Sequence, residues 1–227
     1  TVMMLGRDDG GVRWCEPISV FDPLFENTHK PDVVLGERSV LSYMPGWGNN
    51  VDIRDRKTGK RIRILGFADH HARILGAGEL GGKVSMVFRQ RGKTGVVQHD
   101  VVSGKLLATH DIAINTDKVT VSLVPGGTQL LLSDGGSAVV DLVTGIPRVL
   151  GFATPAILSL QRQGDNLAIW GIGGDSKEWV WALWNPTATT AVYREKVHSG
   201  WGRAQEMHVL GYRRAGDRLV RLLNDNE

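Results

Sequence analysis

Two tryptophans sit between glycines in polar stretches, Pro45-Gly46-Trp47-Gly48-Asn49-Asn50 and Ser199-Gly200-Trp201-Gly202-Arg203. An indole presented in this way can stack on a sugar, a base or a peptide side chain, because it offers a large rigid apolar face with one polar edge. The alternative for each ring is to fold back over the rim of the core. Asp69, His70 and His71, with Asp134 and Asp175, are the side chains suited to metal ligation or acid–base work. Their spacing matches no established ligand pattern, so no metal, cofactor or catalytic residue is expected. A third group is cationic. Arg54, Arg56, Lys57, Lys60, Arg61 and Arg63 crowd one short stretch, and Arg213, Arg214, Arg218 and Arg221 crowd another. Such groups can hold phosphates or an acidic protein surface, unless they are a solvated strand face balanced by Asp52, Asp55 and Asp217.

The elements that must position these residues follow from a repeat. An alternating apolar strand, then Asp-x-x-Thr/Ser-Gly, then a second strand occurs at Val51-Asp-Ile-Arg-Asp55-Arg-Lys-Thr58-Gly59. It returns at Val96-Val-Gln-His-Asp100-Val-Val-Ser103-Gly104 and at Ala138-Val-Val-Asp141-Leu-Val-Thr144-Gly145, with a degraded copy ending Ala182-Leu-Trp-Asn185-Pro-Thr-Ala-Thr189. Subtracting the anchor positions 55, 100, 141 and 185 gives spacings of 45, 41 and 44 residues, the period of a four-stranded β-unit. In each turn the Asp or Asn can accept bonds from the backbone that follows, and the Gly supplies a positive φ.

Between these hairpins lie others, which makes each unit a succession of strands a, b, c and d. The a–b hairpins are Val33 to Tyr43 through Gly36-Glu37, Ile74 to Phe88 through residues 78–82, and Val119 to Leu132 through Pro125-Gly126-Gly127. Two more run from Ile157 to Trp170 and from Met207 to Leu223. The stretch Val2 to Cys15 aligns with the one beginning at Val51 as a c–d hairpin, whereas Met207 to Leu223 has only a and b. Joining the two completes a fifth unit and leaves no open sheet edge between first and last. The expected fold is therefore all-β: one domain over 1–227, a five-bladed β-propeller of four-stranded antiparallel blades. It is closed by N-terminal c–d and C-terminal a–b strands in one blade.

Composition agrees with a globular β-domain. Of 227 residues, 41% are hydrophobic and 22% charged, and the 29 glycines suit a chain of many tight turns. The net charge of +3 is too mild to indicate nucleic acid by itself, and no apolar run is long enough to span a bilayer. The lone Cys15 excludes an internal disulfide framework and fits either a reducing or a secreted setting, so no compartment is assigned.

In a meander blade the a–b and c–d turns share one face, and the b–c and d–a connections share the other. Trp47, Asn49, Asn50, His70, His71, Trp201 and Arg203 thus fall on one face, called the top. The basic residues Arg54, Arg56, Lys57, Lys60 and Arg61 fall on the opposite face or beside it. Arg213, Arg214 and Arg218 join them across the closure seam.

These units resemble WD-repeat and related quinoprotein- or lectin-type propeller blades over almost the whole chain. The likeness is carried by Val124-Pro-Gly-Gly-Thr-Gln-Leu-Leu-Leu132 and by Leu183-Trp-Asn-Pro-Thr187, where Trp184-Asn185 stands nearest to the Trp-Asp of those repeats. The resemblance implies that His70, His71, His110 and His198, placed in d–a connections, support turns by hydrogen bonding. Trp170, Trp179, Trp181 and Trp184 are expected to pack between blades. Five-bladed propellers include sugar-binding lectins and glycosidases. A glycosidase needs two or three carboxylates at the inner strand openings, yet those openings are Val33, Arg73, Val119, Ala156 and His208, with Asp32 alone adjoining one. The expected function is a non-catalytic binding or scaffolding platform for a protein or peptide. A carbohydrate-binding lectin and a binder of nucleic acid or an acidic partner are the alternatives.

Overall fold

A computed structural model describes residues 2–5, 12–16, 31–114, 119–133, 137–151, 156–173, 178–188, 191–197, 208–215 and 218–224. Every regular element among them is a β-strand. Contacts divide the chain into two compact units, Thr1–Lys196 and Val197–Glu227.

The larger unit begins with a hairpin of β1 (Val2–Leu5) and β2 (Val12–Glu16). Four antiparallel sheets of four strands follow, each paired in chain order. The first holds β3 (Asp32–Leu35), β4 (Ser39–Tyr43), β5 (Asn50–Asp55) and β6 (Arg61–Gly66). The second holds β7 (Arg73–Leu80), β8 (Lys83–Gln90), β9 (Lys93–Asp100) and β10 (Leu106–Ile112). In the third are β11 (Thr120–Leu123), β12 (Gln129–Ser133), β13 (Ala138–Asp141) and β14 (Pro147–Val149). The fourth comprises β15 (Ala156–Gln163), β16 (Asn166–Gly173), β17 (Glu178–Trp184) and β18 (Ala191–Val197). In the smaller unit β19 (His208–Ala215) pairs with β20 (Arg218–Asn224).

The a–b–c–d succession expected from the repeat is what forms, and inner strands open within a residue of the expected positions. One turn is shorter than expected. Strand β7 continues through Gly78 and Glu79, so its hairpin turns only at Gly81-Gly82, both with positive φ.

The repeated Asp-x-x-Thr/Ser-Gly segment folds the same way three times. Asp55 Oδ1 accepts from Thr58 N at 2.7 Å and from Thr58 Oγ1 at 2.9 Å. Asp100 does so with Ser103 at 2.7 Å for both atoms, and Asp141 with Thr144 at 2.8 and 3.0 Å. Gly59, Gly104 and Gly145 follow with φ of 71°, 71° and 73°, a conformation that costs a residue with a Cβ. At the degraded copy Asn185 Oδ1 still accepts from Thr187 N and Oγ1, at 2.9 and 2.7 Å. The two bonds to the anchor's carboxylate, or to the Asn185 amide oxygen, are local, which is why the motif is legible in sequence.

Period-two patterning on both faces of the middle strands stacks the sheets. Leu41, Val51, Ile53, Ile74, Val84, Met86 and Val97 fill a core between the first and second sheets. Val87 and Val96, one residue out of phase, turn the other way and pack with Leu130, Leu132, Val140 and Leu142 of the third sheet. Leu131 and Val139 face instead a third core with Leu167, Ile169 and Trp184 of the fourth. Trp184 is fully buried, as an inter-blade tryptophan should be. A Cβ at Gly76 would lie 2.3 Å from Val121 Cγ1, so glycine there lets β7 approach β11.

Neighbouring sheets are also tied by a recurring polar bond at the turn after each third strand. A side chain from the preceding sheet donates to the carbonyl two residues past the anchor. Arg63 Nη2 reaches Val102 O at 2.8 Å, Lys83 Nζ reaches Val143 O at 2.9 Å, and Arg148 Nη1 reaches Thr187 O at 3.0 Å. Trp14 of β2 makes a related bond one residue earlier in the first sheet's turn: its Nε1 donates to Arg56 O at 2.9 Å, and its ring lies against Gly59. Trp14 thereby ties the N-terminal hairpin to the first sheet.

Candidate functional site

Two connections carry the candidate top-loop residues that the structure describes. The b–c loop of the first sheet, residues 44–49, is pinned along its length. Gly46 N donates to Ile74 O at 2.7 Å, Ile74 N donates to Gly48 O at 2.8 Å, and Gly48 N donates to Met44 O at 2.9 Å. Gly46 holds φ at 71°. Between these fixed points Trp47 is 53% exposed. Asn49 is a tie to the next connection: its Nδ2 donates to Phe67 O at 3.2 Å, while Phe67 N donates to Asn49 O at 3.0 Å. Asn50 opens β5 opposite Gly66. Phe67 in turn packs on Phe88 with ring centroids 4.7 Å apart.

The d–a connection that follows Phe67 contains Asp69, His70 and His71. Its turn is held by the acid and an arginine, where the resemblance implied a histidine ring. Asp69 Oδ1 accepts from His71 N at 2.8 Å, Ala72 N donates to Asp69 O at 3.1 Å, and Arg73 Nη1 donates to the His70 and Ala72 carbonyls. The His71 amide, the Gln90 side chain and the nearby Arg91 hold the Asp69 carboxyl below its ordinary range. Both histidines are exposed, with ring centroids 4.0 Å apart. His110 corrects a second expectation: it lies within β10 rather than in a d–a connection. The last strand of that sheet extends to Ile112, which places the histidine in the ladder opposite Val96.

At the opening of β3, Tyr43 Oη donates to Asp32 Oδ2 at 3.5 Å. Burial pushes the tyrosine pKa up, and the Asp32 charge adds to it. Asp32 as a residue is exposed, yet partial burial of its carboxyl raises its pKa despite the bond from Tyr43.

On the opposite face the basic stretch is divided by the pleat. Arg54 is only 6% exposed and does not belong to a cationic surface. Its Nε donates to Asp52 Oδ2 at 3.2 Å and its Nη1 to Gly59 O at 3.1 Å. The fully buried Asp52 also accepts from Arg61 Nε at 3.0 Å. The reason is that β5 is a middle strand covered on both faces, so alternate residues meet a neighbour instead of water. Arg56 is exposed but donates to Gly36 O at 3.1 Å, and Lys57, Lys60 and Arg61 are exposed beside it. Arg213, Arg214 and Arg218 lie in β19 and β20 of the smaller unit. Trp201, Arg203, Asp134, Asp175 and His198 lie outside the described residues.

No protein-family model matches the chain, and no curated protein matches it. Solved structures do. The computationally designed Ika8 protein superposes with a TM-score of 0.52 at 16% identity, over 83% of this chain and 54% of that one. The four-stranded meanders stacked in chain order decide the architecture. The fold is β-propeller-like. Hydrazine synthase of Kuenenia stuttgartiensis matches with a TM-score of 0.48 at 11% identity, over 66% of this chain and 51% of that chain. BamB from Moraxella catarrhalis matches at 0.46 and 15%, over 85% and 57%. The chain spans about half the length of these structures, and at such identities the likeness is one of fold alone. Among the described residues no helix is long and apolar enough to cross a membrane.

Proposed function

We propose that this chain is a non-catalytic binding platform that docks a protein or peptide on its top loops, with Trp47 as the anchor. The observation that carries the reading is an exposed indole on a loop whose backbone is bonded on both sides to Ile74. A large side chain held in advance by its loop loses little entropy on binding, and tryptophan is favoured at the centres of interfaces for this reason. The test is a displayed-peptide selection against the whole chain, followed by affinity measurement with Trp47→Ala. Loss of at least tenfold in affinity supports the platform; selected peptides that bind the variant equally well refute it. A lectin would use the same indole for stacking, and glycan-array signals that vanish in Trp47→Ala would favour it over the peptide reading.

A second reading rests on the exposed Arg56, Lys57, Lys60 and Arg61, which suit an acidic partner or nucleic acid. Binding of that kind falls steeply with salt, and salt-insensitive binding would exclude it.

The platform is proposed as a five-bladed ring of a single domain, its last blade made from the hairpins β1–β2 and β19–β20. The bond from Trp14 to Arg56 supports this reading, because it sets β1–β2 beside the first sheet, where the outer half of such a blade would lie. The ring would also bring Arg213, Arg214 and Arg218 to the basic face. Deleting residues 207–227 should abolish cooperative unfolding, and a deletion product that still melts cooperatively would overturn the closure.

A further inference from the structure

The connection from the first sheet to the second carries a donor set with a chemistry of its own. Asp69, His70 and His71 each offer one ligand atom, and these atoms all lie within 4.8 Å of one another. One carboxylate with two imidazoles suits borderline divalent cations such as Zn²⁺, Co²⁺, Ni²⁺ or Cu²⁺, and it leaves coordination positions open for water or a further ligand. The spacing of these residues matches no established ligand pattern. In this tight turn they converge.

The support around the acid is what a ligating carboxylate requires. Asp69 Oδ2 accepts from Gln90 Nε2 at 2.5 Å, and Oδ1 accepts from His71 N at 2.8 Å. The orientation of the carboxylate is thereby fixed from two different connections. The Arg73 guanidinium bonds the His70 carbonyl and holds the backbone of the pair.

Arg91 stands beside the acid. Among the described residues it is the non-glycine residue with positive φ, 50°, in the two-residue turn Arg91-Gly92 between β8 and β9. Such turns favour Gly, Asn or Asp at that position, so arginine there carries backbone strain. Its Nη2 lies 3.6 Å from Asp69 Oδ2. The strained residue thus places a counter-charge beside the acid of the cluster.

We propose that Asp69, His70 and His71 form an exposed binding site for a zinc-class divalent metal ion, with Arg91 as the counter-ion that the metal displaces. Two consequences follow. Opposition from Arg91 and solvent exposure keep the affinity modest, in keeping with a reversible site. Removing Arg91 should tighten it.

The test is calorimetric titration of the whole chain with Zn²⁺, paired with visible absorption of the Co²⁺-loaded protein, whose d–d bands report the ion's coordination and change when a ligand is lost. Wild type should take up one Zn²⁺ per chain saturably. His70→Gln and His71→Gln should each weaken binding at least tenfold and change the Co²⁺ spectrum, while Arg91→Gly should tighten Zn²⁺ several-fold. His110→Ala should leave binding unchanged. Thermal melts of the variants serve as the folding control, and exposure of both histidines makes the glutamine forms compatible with the fold. The proposal is overturned if wild type shows no saturable uptake, if the His70→Gln/His71→Gln double variant binds as wild type does, or if Arg91→Gly binds no more tightly.

Discussion

Replacing Glu79 by alanine should cost more than its position at the end of a strand suggests. Its carboxylate is buried, with the residue 3% exposed. Oε2 accepts from Arg38 N at 2.9 Å, Ser39 N at 3.3 Å and Ser39 Oγ at 3.2 Å, all in the a–b turn of the preceding sheet. Oε1 accepts from Gly82 N at 3.1 Å in its own turn. Arg38 is exposed and Gly82 partly so, and water can take over those donors after truncation. Ser39 is fully buried, and its amide and hydroxyl would be left without an acceptor. A buried unsatisfied donor costs about 1–3 kcal/mol, and the void left by the side chain adds to it. The expected loss is about 2–4 kcal/mol, or roughly 5–10 °C in Tm for a domain of this size. A cycle with Gly36→Ala sharpens the test, because a Cβ at Gly36 would lie 2.4 Å from Glu79 Oε2, which truncation removes, and 2.7 Å from Glu79 Cβ, which it leaves, so the relief is partial. Gly36→Ala should therefore cost less in the Glu79→Ala background than alone. Circular-dichroism melts of the four proteins measure both quantities. A Glu79→Ala protein melting within about 1 °C of wild type, or strict additivity, would refute the inter-sheet role.

Arg54→Ala should destabilise by about 1.5–3 kcal/mol in urea denaturation, since the buried Asp52 loses one of its two arginine partners and keeps Arg61. Lys57→Ser with Lys60→Ser should leave the urea midpoint unchanged, both side chains being exposed. Gly76→Ala should lower the melting temperature by several degrees through collision with Val121, whereas Gly92→Ala, with open space around it, should reveal only the φ penalty of about 1 kcal/mol. The pKa values of Asp55 and Asp100 are held below 3.8, Asp55 chiefly by the Thr58 amide and Asp100 chiefly by the Ser103 hydroxyl. Folded-state values below the unfolded ones give stability that is complete above the unfolded pKa and is lost as pH falls through the folded pKa. Acid titration should accordingly show wild type losing stability below about pH 4, and the Asp55→Ala/Asp100→Ala protein should lose less over that window.

Some of this was legible because it is local. An Asp, the Thr or Ser three residues on and the Gly after it make their bonds within one turn, so the strand succession and the period could be read from residue types alone. Flanking glycines marked Trp47 as a loop residue. The ties between sheets could not be read in this way. Trp14 with Arg56, Glu79 with Ser39 and Arg63 with Val102 are each about forty residues apart, and nothing in either partner's neighbourhood specifies the other. The basic stretch shows the same divide. Composition supplied the charge, but the pleat and the covered faces of β5 turned Arg54 inward onto Asp52 and left Lys57 and Lys60 in water. The sequence by itself determined the β-meander and its turns, because hydrogen bonding within a few residues and side-chain periodicity suffice for both. Only the tertiary structure decided which charges are structural, which indole stays exposed, and that Asp69, His70 and His71 converge. Those outcomes depend on what packs against each residue from a different part of the chain.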